Sequence, residues 1–552
     1  MGRSGARQGW LYGPVTDLSL GCGLAYFFMA AVHLASGSRL SDAVPGGILI
    51  LLFSLPHYGA TLMRVYASAE DRAKYRLLAV HATGLLVVLL ALGAHTAWVG
   101  SFLLTLYLTW SPWHYTGQNY GISLMLARRR GVEVAPDSKQ WLYVSFVASY
   151  ALAFFAMHGS QSDAAYAPVS HAAGGIRFLS LGIPHAIASW AIRAAGAIYV
   201  AALLGAAAVL LRKGGSIRAL GPVAMLVVTQ AAWFVMPVFL RSTGWLENVP
   251  GSESPFSAYG FLWIASAHAV QYLWITVYFA TAGSGGVGRW TFLGKSALVG
   301  FAVWTLPGLA FAPQIFGGTT YDSGLALLVA SVVNLHHFIL DGAIWKLRDG
   351  RIAQVLLRSA PSAPTPPIAS NHGLLRGLGW AAGILSVAVA AVGFWESEFG
   401  FRRAISAGDL DRARVAIQRF AWLGRDGASK RNWVARELAS RGDYAGAEVQ
   451  LGRALAIESS GTAHELLGLV REQQQRWGEA LREYEASLAI VPDNELTRER
   501  RAAVFIELGD PASAATELEG VLASNPRNDR ARALLVRARL ALRGKQPGGR
   551  LD

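Results

Sequence analysis

Apolar runs of 18 or more residues recur from Thr16 to Trp395 and then stop. In lipid, a run of that length satisfies its backbone N–H and C=O groups only by closing into a helix, so the first part of the chain is expected to be a bundle of membrane-spanning helices. Charge supports this, since 15% of the 552 residues are charged and 53% are hydrophobic, whereas soluble domains carry roughly 25% charged residues. The expected fold is all-α. A polytopic transmembrane bundle covers residues 1–396, a helical solenoid covers 397–546, and 547–552 form a disordered tail.

With the charged and Gly/Pro-rich connections taken as breaks, about eleven spans are expected. They begin near Asp17, Val44, Lys74, Thr96, Trp141, Trp190, Ile217, Ala258, Leu293, Tyr321 and Leu374. The first follows Arg3 and Arg7 as a signal peptide would, yet it is long enough to span and contains His33, so it is expected to be retained. Pro361 to Pro367 reads as a loop between spans ten and eleven.

The formal charge of +14 does not point to nucleic acid, because much of it sits in short connections on one side of an eleven-span chain. Arg72/Lys74/Arg76, Arg128 to Arg130, Arg212/Lys213/Arg218, Arg289 and Lys346/Arg348/Arg351/Arg358 fall there, while the other side holds Asp42, Asp163, Glu247, Glu253 and Asp322. Basic residues favour the cytoplasmic side. The N-terminus is then cytoplasmic and the solenoid lies beyond the membrane, which for a bacterial inner membrane is the periplasm. The single cysteine, Cys22, excludes an intrachain disulfide and a cysteine-based metal site.

From Phe401 the pattern repeats with a period near 34 residues. Gly408-Asp409 returns as Gly442-Asp443 and Gly509-Asp510, and a small residue returns at Ala413, Ala447, Ala480 and Ala514. Trp477 takes the bulky slot of Tyr444, and Pro492 and Pro526 close two repeats. From about Phe401 to Leu542 this resembles the tetratricopeptide repeat, which implies about four helix pairs stacked into a short solenoid and a concave face for a protein partner.

An ionisable side chain deep in a bilayer costs roughly 3 kcal/mol or more, so each one is a functional candidate. Four expected spans carry such groups: Pro56-His57-Tyr58-Gly59, Trp113-His114-Tyr115, His268-Ala269-Val270-Gln271-Tyr272, and Asn334-Leu335-His336-His337 with Asp341. All four spans are even-numbered and run in the same direction. At about 1.5 Å per residue, His57, His114, His268 and His336 fall in one slab about 12 Å thick near mid-membrane. His57, His114, His268, His336 and His337 are therefore candidate metal ligands, with His81 in reserve. Asp341, four residues after His337, is a candidate ligand or hydrogen-bond partner of it. Asp341 and Tyr272 are the candidate catalytic residues. Imidazoles with at most one carboxylate suit iron, copper or zinc. A metal at this depth would meet a lipid-like substrate, and Tyr58, Trp110, Trp113, Tyr115, Tyr120, Trp263, Tyr272 and Trp345 would line its cavity.

The Pro56-His57 and Trp113-His114 elements, followed by histidines on later spans, resemble the membrane-bound β-carotene dioxygenases of the bacteriorhodopsin-related-protein type, over about Leu51 to Arg348. The resemblance implies a non-haem iron held by His57, His114, His268 and one or both of His336 and His337, and O2-dependent cleavage of an apolar substrate. The chain departs from that family at Tyr58 and Tyr272. Other readings are a transporter or proton pathway using the same His and Asp groups, a lipid-linked glycosyltransferase, and a non-enzymatic membrane scaffold built around the repeats.

Overall fold

The computed structural model describes residues 9–36, 46–67, 69–159, 176–213, 216–242, 255–282, 288–313, 315–319, 324–346, 350–357 and 373–544. The acidic connections named above (Asp42, Asp163, Glu247, Glu253, Asp322), the Pro361 to Pro367 loop, the tail, His171 and His372 lie outside them. Among the described residues the chain is helical, with one isolated β-bridge between Gly159 and Ile183. It divides into two compact units inside the last apolar helix, at Val392/Gly393, with a few residues after Phe311 assigned to the second.

The first unit holds α1 (Pro14–Gly21) and α2 (Leu24–Ser36), bent by 65° at the Cys22-Gly23 break. They are followed by α3 (46–66), α4 (Ala69–Lys74), α5 (Leu77–Gly93), α6 (Ala97–Arg129), α7 (Pro136–His158) and α8 (His185–Arg212). Then come α9 (217–242), α10 (Pro255–Thr281), α11 (Arg289–Ala310), α12 (Ala326–Ile344), α13 (Gly350–Leu357) and α14 (Gly373–Trp395).

Helical stretches begin within about five residues of each expected span, but they are not eleven apolar spans. Among the described residues six helices are long and apolar enough to cross a membrane, or seven if the bent α1/α2 pair is one span. Those bearing His57, His114 and His268 are not among them. For α6 and α10 the reason is composition. α6 buries Ser101, Ser111, His114, Thr116, Asn119 and Ser123, and α10 buries Ser266, His268, Gln271 and Thr276. Each polar residue lowers the mean hydropathy of a helix whose polar face is turned inward.

The unit thus buries a polar network within an apolar core, and its outer faces are apolar as well. Gln230 donates to Thr116 and Ser149 and accepts from Asn119, while Gln118 donates to Gln271, which donates to the Gly21 carbonyl at the α1/α2 bend. The buried Asp17 carboxylate accepts from the Leu11 and Tyr12 amides and from Trp274 Nε1. Meanwhile Leu85, Val87, Val88 and Leu92 of α5, and Trp190, Ile198 and Leu204 of α8, are exposed. Apolar faces of this extent are ordinary against lipid and a liability against water.

Helices α3 and α11 cross at backbone contact. A Cβ on Gly59 would run into the Ser296 carbonyl, and one on Gly300 into the Leu55 carbonyl. Ser296 and Gly300 are four residues apart, the small-xxx-small spacing that lets two membrane helices approach closely.

The second unit continues α14 through a wide turn (Glu396–Phe401) into α15 (Arg402–Ala407). It proceeds through α16 (Leu410–Trp422), α17 (Ala428–Ser440), α18 (Tyr444–Ile457), α19 (Gly461–Gln473), α20 (Trp477–Ile490), α21 (Glu495–Glu507), α22 (Pro511–Ser524) and α23 (Asp529–Gly544). From α16 onward each helix packs chiefly on its sequence neighbours, as a solenoid does. The Gly-Asp repeat has a local cause. Gly408, Gly442 and Gly509 take positive φ to end one helix, and Asp409, Asp443 and Asp510 accept the backbone N–H that opens the next. Ala413, Ala447, Ala480 and Ala514 are each fully buried.

Candidate metal centre

Each histidine reaches the centre through a local feature of its helix. In α3 a wide π-helical turn (Ile50–Ser54) leads into Pro56, which has no N–H to donate. His57 Nδ1 lies 2.9 Å from the Ser54 carbonyl at the end of that turn. A carbonyl can only accept, so Nδ1 carries the proton and Nε2 presents a lone pair. His114 sits two residues after Pro112 in α6, which stays one continuous 33-residue helix despite the proline. His268 lies mid-way along α10, with its ring centroid 4.2 Å from that of Tyr115. His337 lies on α12, where its neighbour Asn334 accepts from Tyr58.

These side chains converge. His57 Nε2 and His114 Nε2 are each 3.1 Å from His337 Nε2, and Asp341 Oδ2 is 3.7 Å from His114 Nε2. Two donor triads, His57/His268/His337 and His114/His337/Asp341, each have ligand atoms within 4.8 Å of one another, and all five residues are buried. With metal–nitrogen bonds of about 2.1 Å, neighbouring ligand atoms are about 3.0 Å apart in an octahedron and about 3.4 Å in a tetrahedron. The two distances from His337 Nε2, 3.1 Å to each of His57 and His114, fall in this range.

Hydrogen bonding within the protein does not satisfy the cluster. His268 is 1% exposed, yet neither ring nitrogen has a hydrogen-bond partner, and Asp341 Oδ1 is likewise buried without one. Leaving such a group unpaired costs about 1–3 kcal/mol. A cation in the first triad would engage one ring nitrogen of His268 and the lone pair on His57, and one in the second would engage the Asp341 carboxylate. Each triad fits a metal ion by its donor set, and the candidate donors are His57, His114, His268, His337 and Asp341.

Other expected residues lie elsewhere. His336, adjacent to His337, turns outward: its Nε2 is 2.8 Å from Thr83 Oγ1 and 3.2 Å from Tyr66 Oη, and it belongs to neither triad. His81 is exposed on α5 and lies outside the cluster. Asp341 is not the hydrogen-bond partner of His337 Nδ1. That position is held by Thr61 Oγ1 at 2.8 Å, and the Asp341 carboxylate lies nearer His114. Gln118 donates to Gln271 and to the His268 carbonyl. Tyr272 accepts from Thr61 and from Trp345 Nε1, beside Asp341. Thr61 and Ser54 were not anticipated. Thr61 is four residues after His57, and that helical spacing was the available signal.

Comparison with known proteins bears on the solenoid. A tetratricopeptide-repeat family model matches residues 471–540. No curated protein and no solved structure matches the chain. The expected resemblance of the first unit to β-carotene dioxygenases therefore finds no support in these comparisons.

Proposed function

We propose that the protein is an integral membrane metalloprotein whose bundle holds one ion between His57, His114, His268, His337 and Asp341, and whose tetratricopeptide region docks a protein partner. The observation that carries the metal reading is that neither ring nitrogen of buried His268 has a partner, set against the lone pair of His57. Four imidazoles and a carboxylate suit iron, copper or zinc, and five donors leave one octahedral position open.

The fuller form of this proposal is oxidoreductase chemistry of the oxygenase type, with non-haem iron, on a lipid-like apolar substrate. Its support is the aromatic wall of the site: Phe338 stacks on His114 at 4.4 Å, and Tyr58, Tyr115 and Tyr272 pack on the other rings. Iron or copper bound there would supply one-electron chemistry and Lewis acidity. The chain would hold the ion in a dry cavity and offer the Tyr272 hydroxyl beside it.

Tetratricopeptide repeats generally bind proteins. In this chain a cavity of about 360 Å³, lined by Arg436, Tyr444, Leu451, Leu466, Leu469 and Gln473, would receive an apolar side chain of the partner.

The test is elemental analysis of detergent-purified full-length protein beside His268→Gln. About one first-row metal ion per chain is expected in the wild type, with most of it lost in the variant while the helical circular dichroism is unchanged. Metal-free wild type after reconstitution with iron, copper and zinc would remove the reading.

A further inference from the structure

His337 is the ligand shared by the two donor triads. What lies behind it determines whether its Nε2 can bind an ion at all. Thr61, 1% exposed and one turn beyond His57 on α3, places its hydroxyl 2.8 Å from His337 Nδ1, 2.8 Å from Tyr272 Oη and 3.4 Å from the His57 carbonyl. The hydroxyl has one proton to give.

Two arrangements are consistent with these distances. If Thr61 donates to His337 Nδ1, the ring carries its proton on Nε2, facing His57 and His114, and cannot ligate. If Thr61 donates instead to Tyr272, or along the longer contact to the His57 carbonyl, its oxygen accepts Nδ1–H and Nε2 is bare. Binding an ion selects the second arrangement. Tyr272 gives its own proton to Asp341, so its oxygen faces Thr61 as an acceptor.

We propose that Thr61 is the positioning residue of the metal centre. It holds His337 in the Nδ1–H tautomer and, by occupying Nδ1, keeps this imidazole from bridging two ions. The two triads are therefore two faces of a single mononuclear site. This rests on the metal reading above.

The experiment is a cobalt(II) titration of metal-free full-length protein in detergent, read from the visible ligand-field bands, for wild type, Thr61→Ser and Thr61→Val. Wild type and Thr61→Ser are expected to bind one equivalent with the same band. Thr61→Val is expected to bind 10–100-fold more weakly, the usual loss when a hydrogen bond behind a metal-bound imidazole is removed, with a shifted band. Thr61→Ala gives the same readout should the valine variant fail to fold.

Wild-type affinity and band in Thr61→Val, loss of affinity in Thr61→Ser, or two equivalents in the wild type would each overturn the inference and leave the metal reading standing. No cobalt bound by the wild type, or cobalt bound equally well by His268→Gln, would overturn both.

Discussion

Gln475 holds a left-handed backbone conformation, φ 59°, at the junction where the other repeats carry Gly408, Gly442 and Gly509. Arg476 follows it and donates its amide to the Arg471 carbonyl five residues back, as Asp409, Asp443 and Asp510 do at their junctions. The backbone thus closes the same turn without the residue that favours it. Left-handed geometry costs a residue with a Cβ about 1–2 kcal/mol, so Gln475→Gly is expected to stabilise the solenoid by about 1 kcal/mol, part of the gain being offset by glycine's freedom in the unfolded chain. Chemical denaturation of the full chain would show this as a higher midpoint, and a lower one would contradict it. The same scale decides between His336 and His337. Neighbouring residues are about 100° apart on a helix, and nothing local to them says which faces inward; Thr83 and Tyr66, more than 250 positions away, claim His336.

At the scale of elements, the crossing of α3 and α11 sets where His57 sits. Gly59 is two residues from His57 and meets α11 backbone to backbone at Ser296. Gly300→Leu would drive its side chain into the Leu55 carbonyl and push α3 away from its partner. Overpacking of this kind costs about 3 kcal/mol or more, and His57 would move with its helix. The expected outcome is a lower melting temperature together with loss of bound metal; normal metal content in the variant would mean that another contact positions α3. Ser296 and Gly300 form a spacing visible in the sequence, but that Gly59 is what they meet is a matter of tertiary packing. The span count failed for a related reason. Two of the histidine-bearing helices, α6 and α10, bury rows of Ser, Thr, Asn and Gln, which lowers their mean hydropathy.

At the scale of the whole molecule, the number of crossings fixes the side on which the solenoid lies. Six crossings return the chain to its starting side, while seven or eleven deliver the C-terminus to the opposite one. On the expectation that Arg and Lys mark the cytoplasmic side, an odd count would place the repeats in the periplasm of a bacterial host. An alkaline phosphatase fused after Asp552 is expected to be active and a green fluorescent protein there dark. The reverse pattern would establish an even count.

The sequence by itself determined the helical class, the change of character near Phe401 and the repeat period, because run length, periodicity and cap residues act within a few residues of one another. It also identified the polar groups costly enough in a bilayer to require a reason. Only the tertiary structure decided that His57 and His337, 280 positions apart, meet nitrogen to nitrogen, that His336 does not join them, and that Thr61 stands behind His337. Those outcomes depend on how helices distant in sequence rotate and pack against each other.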